Sequence, residues 1–274
     1  MKRMINLMLA AILICGVTTF TACTNEDNPV TPTDNLAEKI IGKWILADRD
    51  GQPRPTNNKF VYTFVSPTKA YMSVSFAPNS KENVPWHDLI EGDVVIEGNK
   101  ATLTFHRDEH TTLVYEFIFT YITANEIMAN LNATEITDGK VTFTVNETDR
   151  YTRVARDYSE DIIGLWRGYV TSEEGSEFDD GEEHQWEYKN DGTYVYYIQD
   201  DDDNWIANPG QTLSEYFVDG TLLCTRWVNG GVENREWWEI ESIKGGVMKW
   251  KALRQKEDGS TYTATFAMLR VKQD

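Results

Sequence analysis

The sequence predicts an all-β protein: two tandem antiparallel up-and-down β-barrels that follow a secretory signal peptide and a flexible tether. Three observations predict this fold class. Short segments rich in β-branched and aromatic residues alternate with turn signals along most of the 274-residue chain. No run longer than about ten residues shows a convincing helical period. A motif near residue 40 returns near residue 160, which indicates two copies of one fold.

Residues 1–22 have the pattern of a bacterial export signal. Two positive residues precede an apolar stretch over residues 4–20, and a small residue stands directly before Cys23. This order resembles the lipobox of bacterial lipoproteins. The resemblance implies cleavage before Cys23, attachment of diacylglycerol to its thiol and acylation of the new amino terminus. Several acyl chains would hold the mature protein stably on a membrane.

Residues 23–35 are polar, contain prolines and lack periodicity, so we expect a flexible tether. Glu26 and Asp27 resemble the acidic export signal of surface lipoproteins in gut Bacteroidota. That resemblance implies an outer-membrane lipoprotein displayed on the cell surface. The membrane is then a partner that the protein contacts through the lipid on Cys23. A solvated linker of chance composition is the alternative interpretation of the two acidic residues.

The rest of the chain contains one internal repeat. The heptapeptides at 38–44 (EKIIGKW) and 160–166 (EDIIGLW) share five of seven residues at an offset of 122. Repetition at the length of a domain predicts two units, over residues 36–156 and 157–274. The junction between them is very short, which restricts how far one unit can move relative to the other.

Each unit has the pattern of a meander of short strands. Pairs of Asn or Asp with Gly favour tight hairpin turns because they tolerate positive φ. Strands at intervals of roughly 8–15 residues are typical of a sandwich or barrel. In order, the first unit has predicted strands at 59–64, 69–76, 100–105, 111–121 and 140–145, with turns at 97–99 and 137–139. The turn signals of the second unit are at 190–192, 218–220, 229–231 and 257–259.

Both units open with Gly-x-Trp and end with an Arg on the last predicted strand. This combination resembles the lipocalin-like β-barrels of Bacteroidota lipoproteins. In lipocalins the tryptophan lies at the closed end of the barrel, and the arginine packs on its ring in a cation–π contact worth about 0.5–2 kcal/mol. The resemblance implies the structural pairs Trp44 with Arg153 and Trp166 with Arg270. It also implies a ligand inside the barrel, although a short barrel can be filled by its own side chains.

The two units differ in charge and in aromatic content. Residues 38–156 contain 13 basic and 16 acidic side chains, against 11 and 25 in residues 157–274, which also hold seven of the nine tryptophans. The candidate ligand-binding residues are Trp205, Trp237 and Trp238. The last two are adjacent in a strand-like run, so their rings should point to opposite faces. Large aromatics that merely fill a small barrel are the simpler alternative.

Composition and motifs exclude several classes of function. A net charge of −18 argues against a nucleic-acid partner. The second cysteine of the mature chain, Cys224, lies in a strand-like run and is predicted to be a small buried thiol. Nucleophile-elbow, zinc-protease and phosphate-loop motifs are missing, so we assign no catalytic residue, no metal and no cofactor. Acidic runs at 173–183 and 200–203 are typical of solubilising loops, with calcium binding as the alternative.

These observations predict a non-enzymatic lipoprotein that binds a small hydrophobic or amphipathic ligand or acts as an interaction module. The alternative is a surface glycan-binding module that uses exposed tryptophans of the second unit as stacking platforms. A lined internal cavity would favour the first hypothesis. An exposed, roughly coplanar set of tryptophans would favour the second.

Overall fold

The computed structural model describes residues 35–74, 89–173, 183–255 and 260–272. The predicted signal peptide, the lipid-attachment residue Cys23 and most of the first acidic run lie outside these residues. Within the described parts of the chain, no helix is both long and apolar enough to cross a membrane. The all-β prediction is confirmed, because the described chain folds almost entirely into two antiparallel sheets.

The first sheet follows a short helix, α1 (Leu36–Lys39). Its strands are β1 (Gly42–Arg49), β2 (Gln52–Pro53), β3 (Phe60–Ser66), β4 (Lys69–Val74), β5 (Ile90–Glu97), β6 (Lys100–His106), β7 (Thr111–Ile122), β8 (Glu126–Thr137) and β9 (Lys140–Arg153). From β3 to β9 each strand pairs with the next one along the chain. Pairing of β9 with β1 closes eight strands into a barrel, and the short β2 pairs with the far end of β1.

The second sheet also has nine strands. They are β10 (Gly164–Glu173), β11 (His184–Tyr188), β12 (Tyr194–Gln199), β13 (Trp205–Ala207), β14 (Gln211–Asp219), β15 (Leu222–Asn229), β16 (Val232–Lys244), β17 (Val247–Gln255) and β18 (Thr261–Arg270). The strand order is β13-β12-β11-β10-β18-β17-β16-β15-β14. The sheet curls into a half-barrel whose two edges, β12 with β13 and β14, face each other.

An open seam separates these two edges of the second barrel. Among the described residues they share one isolated bridge, between Thr193 and Glu215, and the Tyr216 N–H donates to the Gly192 carbonyl oxygen at 2.8 Å. Strand β13 folds back and pairs with the end of β12, which occupies the hydrogen-bonding edge that β14 would otherwise use. The first barrel is thus closed by a continuous ladder, whereas the second is joined only near the start of β12.

Aromatic side chains fill one end of the first barrel. The ring of Tyr62, 2% exposed, lies edge-to-face against Phe117 at 5.4 Å and against Tyr151 at 5.7 Å between centroids. The void beside Trp44 measures about 10 Å³, roughly the space that one water molecule needs. This end of the first barrel is therefore a packed core.

The same end of the first barrel is built around one tryptophan and one arginine. Trp44 is buried and donates from Nε1 to the carbonyl oxygen of Ile40 at 2.7 Å. The guanidinium carbon of Arg153 lies 4.1 Å from the centroid of that ring, within cation–π range. Arg153 also donates to the carbonyl oxygens of Lys39 and Ile41, so it ties the last strand to the turn before the first strand.

The second barrel repeats this arrangement. Trp166 donates from Nε1 to the carbonyl oxygen of Ile162 at 2.6 Å, and the Arg270 guanidinium carbon lies 4.2 Å from its ring centroid. Arg270 donates to the carbonyl oxygens of Asp161 and Ile163 at 2.7 and 2.5 Å. The repeated sequence motif therefore corresponds to a repeated set of contacts.

Both conformation and space require the glycine of each Gly-x-Trp motif. Gly42 and Gly164 have φ angles of +126° and +132°, where residues with a side chain are strained. A Cβ atom at either position would also overlap the guanidinium of Arg153 or Arg270. Glycine thus leaves the room that the arginine needs in order to stack on the tryptophan.

The two barrels share a buried contact. Ile45 and Val61 of the first barrel form one apolar cluster with Leu222, Cys224 and Trp237 of the second. Polar contacts flank this cluster: the ion pairs Lys43–Asp219 and Lys59–Glu239, and a hydrogen bond from Thr56 Oγ1 to the Trp237 carbonyl oxygen. The barrels therefore pack side to side on an apolar patch that excludes water.

The thiol of Cys224 should report whether this contact opens. Cys224 is 1% exposed, and burial, with a smaller contribution from Asp219, raises its pKa well above the ordinary value. Because the thiolate is the reactive form, we expect a disulfide reagent at pH 8 to modify Cys224 at least about a hundredfold more slowly in the folded chain than in urea. A chain that starts at residue 24 contains no other cysteine. Rapid modification of the folded chain would contradict a stable contact between the barrels.

Candidate functional site

A cavity of about 270 Å³ lies inside the second barrel. Tryptophan, tyrosine and phenylalanine make up half of its described lining residues, and they come from β11, β12 and β15 to β18. The aromatic lining consists of Trp186, Trp227, Trp238, Trp250, Tyr188, Tyr194, Tyr196 and Phe266. The volume is just below the range of about 300–1,000 Å³ typical of drug-sized ligands, so the cavity suits a smaller molecule.

The open seam adjoins this cavity. A depression of about 370 Å³ lies along the seam between β12 and β14. Four residues line both the depression and the cavity: Tyr194, Tyr196, Asn208 and Gln211. The depression at the seam and the cavity therefore share one wall.

Ring-to-ring contacts hold the aromatic wall in place. Trp250 lies edge-on to Trp186, with centroids 5.4 Å apart and planes at 83°. It is tilted by 32° against Trp238 at 5.6 Å, and Phe266 packs edge-on to Trp238 at 5.3 Å. Such tilted and edge-to-face pairs stabilise each ring in one orientation. A wall formed before binding lowers the entropic cost of holding a ligand.

Two buried donors of the cavity wall have no hydrogen-bond partner among the described residues. They are Nε1 of Trp250, whose side chain is 2% exposed, and the hydroxyl of Tyr188, which is 1% exposed. Burial raises the pKa of Tyr188 well above its ordinary value, so this hydroxyl keeps its proton at neutral pH. An unsatisfied buried donor costs about 1–3 kcal/mol, which a ligand that accepts the hydrogen bond would recover.

The cavity contains one carboxylate. Among the lining residues that the structure describes, Glu236 is the sole acidic side chain, and there is no Lys or Arg. Trp238 donates from Nε1 to Glu236 Oε2 at 3.3 Å. Burial raises the pKa of Tyr194, and the negative charge of Glu236 is the second-largest cause of this rise. The described lining thus combines aromatic rings with one carboxylate and one imidazole, that of His184.

The three tryptophans singled out from the sequence lie in three different environments. Trp238 lines the cavity. Trp237, its neighbour on β16, points to the opposite face and packs in the contact between the barrels, 6% exposed. Trp205 lies on β13, where Arg167 stacks on its ring at 4.9 Å. They do not form one surface, because alternate residues of a strand face opposite sides of the sheet.

Sequence reasoning missed most of the cavity wall. Trp186 and Trp250 belong to it, as do Tyr188 and Glu236. A usable signal was present, since Trp186 with Tyr188 and Glu236 with Trp238 are each two residues apart on one strand. That period-2 spacing places both members of a pair on one face. Which face becomes the interior depends on how the sheet curls.

A second hollow, of about 290 Å³, lies at the far end of the first barrel. Four of its charged side chains form ion pairs with each other or with Asp149: Arg49 with Glu147 and Asp149, and Arg107 with Glu135. Arg54 also lines this hollow, and its Nε has no hydrogen-bond partner among the described residues. A ligand there would have to displace these ion pairs. Within the described chain, no group of three or more His, Cys, Asp or Glu side chains is placed to hold a metal ion.

Comparisons with known proteins add little to this geometry. No protein-family model matches the sequence, and no curated protein matches it. Two solved structures that match are mutants of the vaccine antigen transferrin binding protein B from Haemophilus parasuis, both 11% identical with a TM-score of 0.23. The matches cover 78% and 79% of this chain and 53% of each of those chains, so this chain spans about half their length. Similarity at this identity and TM-score assigns neither a ligand nor a function to this protein.

Proposed function

We propose that this protein is a non-enzymatic binding protein that holds a small amphipathic ligand in the cavity of its second barrel. A lipid on Cys23 would anchor it to the outer membrane, with both barrels displayed at the cell surface. The observation that carries the proposal is the cavity itself. It combines rigid aromatic walls, buried donors without partners and a depression at the adjoining seam.

The two barrels would have different roles. The first is packed with its own aromatic rings at one end and has several ion pairs at the other, which suits a scaffold. The second keeps space beside its aromatic rings. A ligand with an apolar body would exclude water from the cavity wall. This burial would stabilise the complex by about 25 cal/mol per Å² of apolar surface. A polar end would satisfy the buried donors, which is why we propose an amphipathic ligand rather than a hydrocarbon.

The alternative, a surface glycan-binding module, has less support. Stacking on a polysaccharide needs exposed rings. All eight tryptophans among the described residues are buried or half-buried. Trp237 in particular is covered by the first barrel.

Titration of tryptophan fluorescence tests the proposed function. We expect saturable quenching or a blue shift when the full chain is titrated with octanol or octanoate, because several tryptophans line the cavity. Ala264→Leu adds bulk to the cavity wall and should weaken that response at least about tenfold, or 1.4 kcal/mol. Ala267→Leu is the matched control, since it lies on the same strand and outside the cavity wall.

Thermal unfolding of both variants should accompany the titration, because overpacking a core costs about 1–3 kcal/mol. A response that survives in folded Ala264→Leu would show that the ligand binds elsewhere. A response to soluble polysaccharides alone would favour the glycan-binding alternative.

A further inference from the structure

We propose that the cavity of the second barrel holds a neutral aromatic ligand that carries a hydrogen-bond acceptor at one end and a hydrogen-bond donor at the other. The acceptor lies toward Tyr188 and Trp250, and the donor lies toward Gln211. This inference rests on the proposed function of the same cavity and names its ligand class.

Three polar atoms of the cavity wall are buried and have no hydrogen-bond partner among the described residues. They are the Tyr188 hydroxyl, Nε1 of Trp250 and Oε1 of Gln211. The first two can donate, and their residues are 1% and 2% exposed, whereas the amide oxygen of Gln211 accepts. A side-chain hydrogen bond to Tyr194 holds the Gln211 amide. Because unpaired buried groups are costly, a ligand that offers the complementary acceptor and donor would gain affinity from all three.

The two donors and the acceptor lie at different levels of the barrel. Tyr188 pairs with Gly164 of the Gly-x-Trp motif, so it lies toward the closed end, and the Trp250 ring stands edge-on to it at 6.2 Å. Tyr216 of β14 also packs on Tyr188, at 4.9 Å. Gln211 begins the same strand, roughly 15 Å from Tyr216 along the backbone at about 3.3 Å per residue. The acceptor and the donor of the ligand therefore belong at opposite ends of its body.

The wall between these two ends favours an aromatic ring. Phe266 and Trp250 stand edge-on to Trp186, with centroids 5.6 and 5.4 Å away and planes at 89° and 83°. Such a wall offers both edges and faces of rings, and aromatic rings pack best in edge-to-face or offset pairs. A cavity of about 150 Å³ is enough for benzene. The volume of about 270 Å³ here therefore accommodates one ring with a substituent at each end.

The hydrogen-bonding groups favour a neutral ligand. An indole N–H, a phenol hydroxyl and an amide oxygen carry no charge, and burial raises the pKa of Tyr188 well above its ordinary value. Besides its tyrosines, the described lining contains two ionisable side chains, Glu236 and His184, and both already interact with the protein. Trp238 donates to Glu236, and the Tyr196 hydroxyl lies 3.3 Å from Nδ1 of His184. The recognition proposed here uses neither, and burying a ligand charge against uncharged partners would be costly.

Three probes of similar shape test this inference by isothermal titration calorimetry of the full chain. 4-Hydroxyacetophenone has both groups, acetophenone lacks the donor, and 4-ethylphenol lacks the carbonyl acceptor. We expect 4-hydroxyacetophenone to bind at least about fivefold more tightly than either of the other two, which is the factor for one hydrogen bond.

Two variants assign each end of the ligand. Tyr188→Phe keeps the ring and removes the hydroxyl, so it should lower the preference for 4-hydroxyacetophenone over 4-ethylphenol and leave the preference over acetophenone. Gln211→Met keeps the length of the side chain and removes the amide, so it should have the reverse effect. The midpoint of thermal unfolding should not fall in Tyr188→Phe, because the hydroxyl has no hydrogen bond to lose in the described structure.

Tyr216→Phe is the matched control, since the Tyr216 hydroxyl donates to the Lys189 carbonyl oxygen at 2.7 Å and Tyr216 does not line the cavity. It should leave the affinities for all three probes unchanged. Equal affinities for the three probes, or a preference that survives in the variant assigned to it, would overturn the inference and leave the binding function of the cavity standing. Failure of all three probes to bind would also overturn it, and the octanol titration of Ala264→Leu would then decide the proposed function separately.

Discussion

Replacing Trp166 with alanine is expected to lower the free energy of unfolding of the second barrel by about 3–5 kcal/mol. The Trp166 side chain is fully buried. Its removal leaves a cavity and breaks the hydrogen bond to the Ile162 carbonyl oxygen. It also leaves the Arg270 guanidinium without the ring on which it stacks. The variant therefore loses packing and a cation–π contact at the point where β10 meets β18.

Urea unfolding followed by far-ultraviolet circular dichroism measures this effect. Trp205→Ala is the matched control, because Trp205 is half-buried on a three-residue strand and stacks with Arg167 at 4.9 Å. Loss of that contact should cost no more than about 1 kcal/mol. If Trp166→Ala were no less stable than this control, the pair with Arg270 would not be a structural element of the barrel.

Replacing Trp237 with alanine is expected to uncouple the two barrels. Trp237 belongs to the second barrel, yet its ring packs against Ile45 and Val61 of the first. Truncating a buried tryptophan typically costs about 3–5 kcal/mol, and here much of that loss falls on the contact between the barrels. The hydrogen bond from Thr56 remains available because it goes to the backbone carbonyl oxygen of Trp237. The first barrel should keep its own stability.

Differential scanning calorimetry should show this uncoupling as a single transition of the wild type that separates into two. Trp227→Ala is the control of the same residue type, since Trp227 lines the cavity and lies outside the contact between the barrels. It should lower the stability of the second barrel without separating the transitions. Cys224 should also react faster with a thiol reagent in Trp237→Ala than in the wild type. Coincident transitions in Trp237→Ala would contradict the coupling.

Local patterns predicted much of the fold. Turn signals such as those at 137–139 and 190–192 lie between strands of the structure, because Asp-Gly pairs stabilise positive φ whatever the rest of the chain does. The resemblance to lipocalin-like barrels named Trp44 with Arg153 and Trp166 with Arg270, and both pairs lie at stacking distance. A repeated motif can predict such pairs because the same residue types recur at matching positions of both units.

The candidate site was harder to predict. Trp237 and Trp238 are neighbours with equal exposure, and their local pattern is nearly the same. One faces a cavity and the other faces the first barrel, which follows from the curl of the sheet and not from either residue. Glu236 likewise looked like one of many acidic residues in residues 157–274. Only its position on the concave face separates it from Glu233, which is exposed on the same strand.

The sequence by itself determined the fold class, several strands and turns, the two-fold repeat and the Gly-x-Trp contacts with arginine, because these depend on short-range conformation and on a motif that recurs. It did not predict β5 or β8. The tertiary structure decided which barrel is filled and which is hollow. Tyr62 and its neighbours fill one interior because strands far apart in sequence bring them together. The other interior stays open because β13 occupies the edge of β12 and leaves a seam. The first outcome depends on the long-range pairing of β9 with β1. The second depends on a short hairpin, β12 with β13, that keeps β14 from the edge of the sheet.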